Sequence, residues 1–501
     1  MADVSLPRGF AGVALLTRGD SRSPMRDGAP LAIQLPPSVS AVLAGLAEMD
    51  AEAALVGGGV RDLVRGEQPT DWDVATSAPP EAVASRFPGS AWQNAFGTVT
   101  VRTTDDGPPV EVTTYRVEGG YRDRRRPDHV RWGGSLVEDL GRRDFTINAM
   151  AWVPSDLAGG HGRLVDPHGG TADLAAGVLR AVGDPDARLE EDALRVVRAV
   201  RFATRFDLRL DSATEDAVRR HAGATAGLSG ERVRDELLRI LGGAAPPSRA
   251  LLLMDRLGLL TFLLPELAAL RGVPQAKALP GDALDHSLRA ADALSPDDRV
   301  LRLAGLLHDL GKATTLGDGH FIGHERDGAA LAEGVMRRLR SPRAETTRVT
   351  RLVRQHMFAY SPAWTDAAVR RFVKRVGRDL LDDLFALREA DNVASGAREP
   401  ARGGLPELRA RVARALADDP LEAGQLAVDG HDLTAALGIE PGPVIGRLLD
   451  RLLEAVLDDP ALNRPERLVE LARGWMVDAG SEAEAGDRTH RQAKDKAGAS
   501  G

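Results

Sequence analysis

Three acidic residues stand where they could share one metal ion. Asp71 and Asp73 are two apart in Asp71-Trp72-Asp73, and Glu111 lies between valines in Val110-Glu111-Val112. Alternate side chains of a strand point to one face, so carboxylates at i and i+2 converge. Unpaired, they repel; a hard dication resolves the repulsion, and Mg²⁺ is commonly held by one or two carboxylates together with substrate phosphates. Upstream, in Leu55-Val-Gly-Gly-Gly-Val-Arg-Asp62, Gly57 and Gly58 fall where an apolar run gives way to a helical pattern. A glycine turn that opens a helix presents backbone N–H groups to a triphosphate. Read singly, the glycines are a backbone convenience and the acids are solvated charges; read together, they point to metal-assisted chemistry on phosphates.

Two further stretches fit that chemistry. Arg142-Arg-Asp-Phe-Thr-Ile-Asn-Ala-Met150 offers guanidinium groups, which pair bidentately with phosphate oxygens, and an amide suited to a ribose hydroxyl. Glu191-Asp192-Ala-Leu-Arg195-Val-Val-Arg198-Ala-Val-Arg201-Phe202 follows a strong helical pattern, which makes Asp192 and Arg195 surface neighbours. Their plain meaning is a solvated ion pair, worth at most a few tenths of a kcal/mol. Cytosine and adenine each offer an amino donor beside a ring-nitrogen acceptor, an order that uracil and guanine reverse. An Asp that only accepts beside an Arg that only donates therefore pairs with C and A and rejects U and G. Arg198 and Arg201 either reach the triphosphate or face solvent.

The glycine turn, Asp71-x-Asp73 and Glu111 resemble the two-metal nucleotidyltransferase superfamily. Arg142–Met150 looks like the RRDxxxNA motif of class II CCA-adding tRNA nucleotidyltransferases and the related bacterial poly(A) polymerases, and Glu191, Asp192 and Arg195 look like its EDxxR motif. Asp166-Pro-His-Gly-Gly170 is similar to the linker from head to neck, and Ser229–Glu236 to the last helical motif, read as structural with Ser229 as its N-cap. The resemblance implies catalytic Asp71, Asp73 and Glu111, with Mg²⁺ on Asp71 and Asp73. It implies nucleotide contacts at Gly57, Gly58, Arg61, Arg143, Asp144, Asn148, Asp192, Arg195, Arg198 and Arg201. CTP, ATP and tRNA would be the partners. The basic stretch Tyr121–Pro127, missing in relatives that add only CC, favours full CCA or A addition over CC addition.

A second constellation lies in the C-terminal half. Leu306-Leu-His308-Asp309-Leu-Gly-Lys312 resembles the signature of HD-domain phosphohydrolases, and His286, His324, His356 and Asp391 complete the ligand series of its two-metal type. Nitrogen and oxygen donors without sulfur suit Mn²⁺, Ni²⁺, Mg²⁺ or iron. The resemblance implies a phosphatase and 2′,3′-cyclic phosphodiesterase; the alternative is an HD fold kept as scaffold. Two other readings of the whole chain stay open: an A-adding enzyme or poly(A) polymerase, and an HD phosphohydrolase with a vestigial head.

The elements that must position these groups separate along the chain. Residues 31–165 alternate short β-like runs (AALVGG, GTVTVRT, PVEVTTYR) with helical ones, the pattern of a small mixed α/β head. Beyond about residue 180 the β signal fades into helical patterns, broken by Pro/Gly joints at 242–247, 272–281 and 401–405. The expected architecture is α+β: a lead at 1–30, the nucleotidyltransferase head at 31–165, a helical neck at 166–245, an HD domain at 246–400, a helical tRNA-binding region at 401–478 and a disordered tail at 479–501.

Composition bounds the rest. The chain has 501 residues, enough for several domains, and aromatics are only 4%, so the cores must rest on Leu, Val and Ala. A net charge of −8 excludes a uniformly basic coat but not local basic patches. Only five of the 65 cationic side chains are lysines, a bias that fits a GC-rich genome as well as phosphate chemistry. There is no cysteine, which excludes disulfides, thiolate-held metals and thiol nucleophiles. No apolar run approaches membrane-spanning length and the N-terminus makes a poor secretory signal, so a cytoplasmic protein with no membrane partner is expected.

Overall fold

The computed structural model describes residues 24–93, 97–103, 107–119, 129–275, 277–317, 320–397 and 404–477; Tyr121–Pro127 and the C-terminal tail lie outside them. The chain forms two compact units, Met1–Ala269 with Val335–Ser341, and Leu270–Gly334 with Pro342–Gly501.

The first unit opens with an eight-stranded sheet. Its strands are β1 (Pro30–Ala32), β2 (Ala53–Val56), β3 (Asp73–Thr76), β4 (Ala91–Gln93), β5 (Thr98–Val101) and β6 (Val110–Thr114), then β9 (Ala151–Asp156) and β10 (His161–Val165), with β7 (Arg116–Gly119) and β8 (His129–Trp132) pairing separately as a hairpin. The order across the sheet is β1-β10-β9-β2-β3-β6-β5-β4, and every pairing is antiparallel except β3 with β6.

Alternation sorts this sheet into two faces. Leu55, Val74, Val99, Val112, Trp152 and Leu164 pack with Val39, Val42, Leu43 and Leu46 of helix α1 (Pro37–Ala47). Val56, Ala75, Ala151 and Val165 form a smaller apolar patch on the opposite face with Tyr115 and Leu140. Short helices α2 (Gly58–Val64), α3 (Pro80–Arg86), α4 (Leu136–Gly141) and α5 (Gly170–Ala175) connect the strands, and Ser135 opens α4 with a reciprocal capping box to Glu138.

The neck follows: α6 (Pro185–Glu191), α7 (Leu194–Arg205), α8 (Ser212–His221), α9 (Gly230–Leu241), α10 (Pro247–Arg256), α11 (Leu260–Leu263) and α12 (Pro265–Ala268). The helix expected through Glu191–Phe202 is broken at Asp192, whose backbone is extended (φ −148°, ψ 108°) and whose carboxylate accepts the Leu194 N–H at 2.9 Å. Ser229 does stand at the N-cap of α9, but its hydroxyl makes no cap hydrogen bond. The unit boundary falls at 269/270, past the Pro/Gly joint at 242–247, because α10 buries Ala250, Leu251 and Met254 against the neck.

The second unit is helical apart from a short antiparallel pair, Leu316–Gly317 with His320–Phe321: α13 (Ala283–Ala293), α14 (Arg299–Leu307), α15 (Lys312–Thr315), α16 (His324–Arg338, whose residues from Val335 on count with the first unit), α17 (Arg343–Gln355), α18 (Asp366–Val376), α19 (Leu381–Ala394), α20 (Leu405–Asp418), α21 (Gly430–Leu437) and α22 (Pro443–Asp458). The stretch Val428–Ala472 has its own small core around Leu433, Leu452, Val456 and Leu468. No described helix is long and apolar enough to cross a membrane.

Candidate active site and metal centre

In the head, the single parallel pairing sets Asp73 directly beside Glu111. Asp73 also pairs with Val56, which belongs to the smaller apolar patch, so both acids share that face. Asp71 lies outside the strand, in the exposed turn before it, which corrects the expectation of a strand Asp-x-Asp. The intervening Trp72 is buried in the opposite core, so the alternation runs on through the turn. Burial pushes the Asp73 carboxyl up to about 6, Glu111 and Asp71 push in the same direction, and Arg143 opposes them. Like charges held together at the cost of Asp73's ionisation, on oxygen donors alone, fit a hard divalent cation.

Gly57 is the hinge of the turn, with φ +72° and ψ −134°. A Cβ there would stand 2.8 Å from Arg143 Nη1 and 3.4 Å from Asp73 Oδ2. The glycine thus lets the Arg143 guanidinium lie against the backbone beside the acids. Its own N–H is already donated to the Met150 carbonyl (3.3 Å) and is not bare. Gly59 packs closely on the same turn, since a Cβ would lie 3.1 Å from the Asp71 carbonyl oxygen.

Behind this face runs a chain of charged side chains. Arg61 is buried, donates to Asn148 Oδ1 at 2.7 Å and lies over the Phe206 ring. Asn148 Nδ2 donates to Asp144 Oδ1 at 3.0 Å, and Arg198 Nε donates to Asp144 Oδ2 at 2.7 Å. Burial alone would raise the Asp144 carboxyl, but Arg198 and the Asn148 amide hold it at about 2. Arg201, also buried, pairs with Glu236, which is 1% exposed. Of the two arginines left between triphosphate and solvent, Arg201 faces neither: it is turned inward onto Glu236. Arg198 remains partly exposed.

Asp192 and Arg195 do not form an ion pair with each other. Asp192 Oδ2 accepts from Arg232 at 2.6 Å, while Arg195 pairs with Glu191 and donates to the carbonyls of Arg188 and Arg142, both at 2.9 Å. These bonds leave Arg195 with unused N–H groups and Asp192 with unused lone pairs. Sequence reasoning missed the roles of Glu236, Arg232 and Arg188; the bonds from Arg201 to Glu236 and from Arg232 to Asp192 span 35 and 40 positions, for which spacing carries no signal, whereas the Arg188–Glu191 pair at i,i+3 was within reach of helical spacing.

In the second unit, His308 and Asp309 follow α14, His324 opens α16, His356 closes α17, and His286 and Asp391 lie inside α13 and α19. Asp309 sits at the centre. Its Oδ2 is 3.4 Å from His286 Nε2 and 3.2 Å from His308 Nε2; its Oδ1 is 3.4 Å from His324 Nε2 and 3.6 Å from His356 Nε2. Asp391 Oδ1 approaches His286 Nε2 at 3.1 Å. Gly311 permits this closeness, because a Cβ there would meet the His324 carbonyl oxygen at 2.1 Å.

The ring nitrogens are prepared for a metal. His308, His324 and His356 each place Nδ1 2.7 Å from a backbone carbonyl, those of Gly305, Phe321 and Val353. A carbonyl only accepts, so each Nδ1 carries the proton and each Nε2 presents a lone pair. All three Nε2 atoms are buried without a hydrogen-bond partner, as are both nitrogens of His286. Buried orphans of this kind are costly, and they fit divalent cations on either side of a shared Asp309. Burial lowers the His356 imidazole, which favours the neutral form that a metal ligand needs.

Comparison with known proteins follows this division. Residues 53–180 match the family model "Poly A polymerase head domain", 207–270 "Probable RNA and SrmB- binding site of polymerase A", and 282–396 "HD domain". Head and body together define a nucleotidyltransferase that carries an HD domain. The A-adding tRNA nucleotidyltransferase of Deinococcus radiodurans is 38% identical over 80% of this chain and 91% of its own length. The CCA-adding enzyme of Lactiplantibacillus plantarum is 31% identical over 84% and 92%. The structure of the Bacillus stearothermophilus CCA-adding enzyme in complex with CTP superimposes with a TM-score of 0.65 at 29% identity, over 90% of this chain and all of that one. The chain belongs to the family of A-adding and CCA-adding tRNA nucleotidyltransferases.

Proposed function

We propose that this chain adds C, C and A in turn to the 3′ ends of tRNA in the cytoplasm, from CTP and ATP, releasing pyrophosphate. The observation that carries the reading is the parallel register that sets Asp73 beside Glu111 on a face where Arg143 also lies. Asp71 and Asp73 would hold two Mg²⁺ ions, whose charge offsets that of the phosphates during transfer. Glu111 helps free the tRNA 3′ hydroxyl of its proton. The 3′ hydroxyl oxygen then bonds to the α-phosphorus as the bond to pyrophosphate breaks, its proton passing to Glu111. Arg143 steadies the triphosphate, and Asp192 and Arg195, held in place by Arg232 and Glu191, read the edge shared by cytosine and adenine.

A tRNA transcript ending at the discriminator base, incubated with Mg²⁺, CTP and ATP and then sequenced at its 3′ ends, tests this. Ends that read CCA and stop there support it. A second reading, addition of A alone, is favoured by the 38% identity to the Deinococcus enzyme. It predicts no change on that transcript and one A on a tRNA ending in CC. CTP supplied alone separates the first reading from a poly(A) polymerase, for which it is no substrate; ATP supplied alone with a tRNA ending in CC separates the second, which stops after one A, from a polymerase that goes on.

We further propose that the His/Asp cage is a metal-dependent phosphohydrolase acting on phosphate monoesters and 2′,3′-cyclic phosphates. Mn²⁺, Ni²⁺ and Mg²⁺ each suit its donors. The orphaned Nε2 atoms around Asp309 support this reading. Metal-loaded protein that hydrolyses neither class of ester would leave the cage a scaffold.

A further inference from the structure

Lysine is rare in this chain, and its placement is not even. Of the five lysines, three fall among the described residues: Lys277, Lys312 and Lys374. Lys374 pairs with Glu454 at 2.6 Å on the surface. The other two line the same cavity of about 300 Å³, which opens over Asp309, His324, His356 and Asp391. Elsewhere the chain answers a need for positive charge with arginine, whose planar fork suits a fixed carboxylate. An ammonium on a flexible stem suits an anion that arrives, changes shape and leaves.

The two lysines differ in what they already hold. Lys312 is bound to Asp309 Oδ2 and lies 3.1 Å from Gln275 Oε1, so its charge is spent on the central ligand of the cage. Lys277 enters from the segment before α13, outside the His/Asp series. It donates to a neutral hydroxyl, Ser395 Oγ, at 2.9 Å, and stands 3.7 Å from Asp391 Oδ1, beyond hydrogen-bonding distance. Among the described residues these are its polar contacts, which leaves two of its three donors unused at the cavity wall. Ser395 in turn donates to Asp391 Oδ1 at 3.3 Å, so the hydroxyl fixes the ammonium beside the cage, within ion-pair range of Asp391 but with two of its N–H groups free to meet a further anion. Among the described residues, no carboxylate other than Asp309 and Asp391 lines the cavity. An ammonium whose one carboxylate partner is a cage ligand, held at 3.7 Å and itself committed to a cation, is complemented by the oxyanion of a phosphate.

We propose that Lys277 is the positioning residue that grips the substrate's phosphate in this cavity. The assignment rests on reading the cage as a phosphohydrolase site. It adds a residue outside the His/Asp series and upstream of the residues that match the HD domain, and its charge-assisted hydrogen bonds should contribute about ten- to a hundredfold in phosphate affinity.

The test uses the full-length, metal-loaded protein and three variants: Lys277→Ala, Lys277→Gln, which can still reach Ser395 but carries no charge, and Lys277→Arg. Metal content is measured by mass spectrometry, folding by the melting temperature, binding of inorganic phosphate by calorimetry, and hydrolysis of a simple phosphate ester by KM and kcat. The Ala and Gln variants should keep their metal and their melting temperature, bind phosphate about ten- to a hundredfold more weakly, and raise KM with kcat within about threefold; the Arg variant should recover most of the loss. Unchanged phosphate affinity in the Gln variant overturns the proposal, as does metal loss that accompanies the loss of phosphate binding, which would make Lys277 a prop for Asp391. Absence of phosphate binding by the parent protein also overturns it. Phosphate bound through Lys277 with no ester hydrolysed would instead remove the phosphohydrolase reading and leave the anion site standing.

Discussion

Gly57 shows how much one missing methyl group can decide. Its φ of +72° with ψ of −134° lies where other residues pay about 1–3 kcal/mol in strain. The Cβ of Gly57→Ala would also meet Arg143 Nη1, the far end of a flexible side chain, so the fold survives while the guanidinium is displaced. Nucleotide addition by Gly57→Ala should fall at least about tenfold more than its loss of stability accounts for, a difference that denaturant titration and single-turnover kinetics together would reveal. The glycine turn, Asp73 and Glu111 were legible in the sequence because they depend on local rules: a break between strand and helix, and alternation along a strand. What remained hidden was the part that depends on distance. Arg61 finds Asn148 across 87 positions, Arg198 finds Asp144 across 54, and Arg201 finds Glu236 across 35. The i,i+3 spacing of Asp192 and Arg195 misled for a related reason. It presumes a continuous helix, and the helix stops at Asp192.

At the level of elements, one of those hidden bonds, Arg198 to Asp144, ties α7 to the head, and another, Arg201 to Glu236, ties α7 to α9. Asp144 is depressed to about 2 in the folded protein against a free value of 3.8. A lowered carboxyl contributes stability that is present above the free value and is lost as pH falls towards the folded one. Asp144→Asn should therefore cost about 2 kcal/mol near neutrality and flatten the loss of stability between about pH 4 and pH 2, as followed by denaturant midpoints across that range. Glu236→Ala tests the other end of the chain. It would leave Arg201 buried without its partner, and the expected cost is about 3–5 kcal/mol. Replacing Arg201 and Glu236 together by apolar residues of similar volume should cost far less, so a double-mutant cycle distinguishes the penalty of an orphaned charge from the worth of the pair.

For the molecule as a whole, the two sets of metal donors lie in different compact units and share no residue. Asp73→Ala should abolish nucleotide addition and leave ester hydrolysis by the cage unchanged, and His308→Ala should do the reverse; assays of both reactions on both variants check this. Chelation followed by dialysis should lower the melting temperature, and returning metal should restore it. The gain corresponds to about 3–4 kcal/mol when metal is present at a hundred to a thousand times its dissociation constant. In Asp309→Asn that response should vanish. The hydrogen bonds that set the cage's tautomers give it a particular evolutionary latitude. His308, His324 and His356 each bond the carbonyl three residues upstream, so each carries its own tautomer setting within a four-residue segment. Segments built this way can drift apart along a gene, as intervening loops lengthen or shorten, without any ligand losing the neighbour that prepares it.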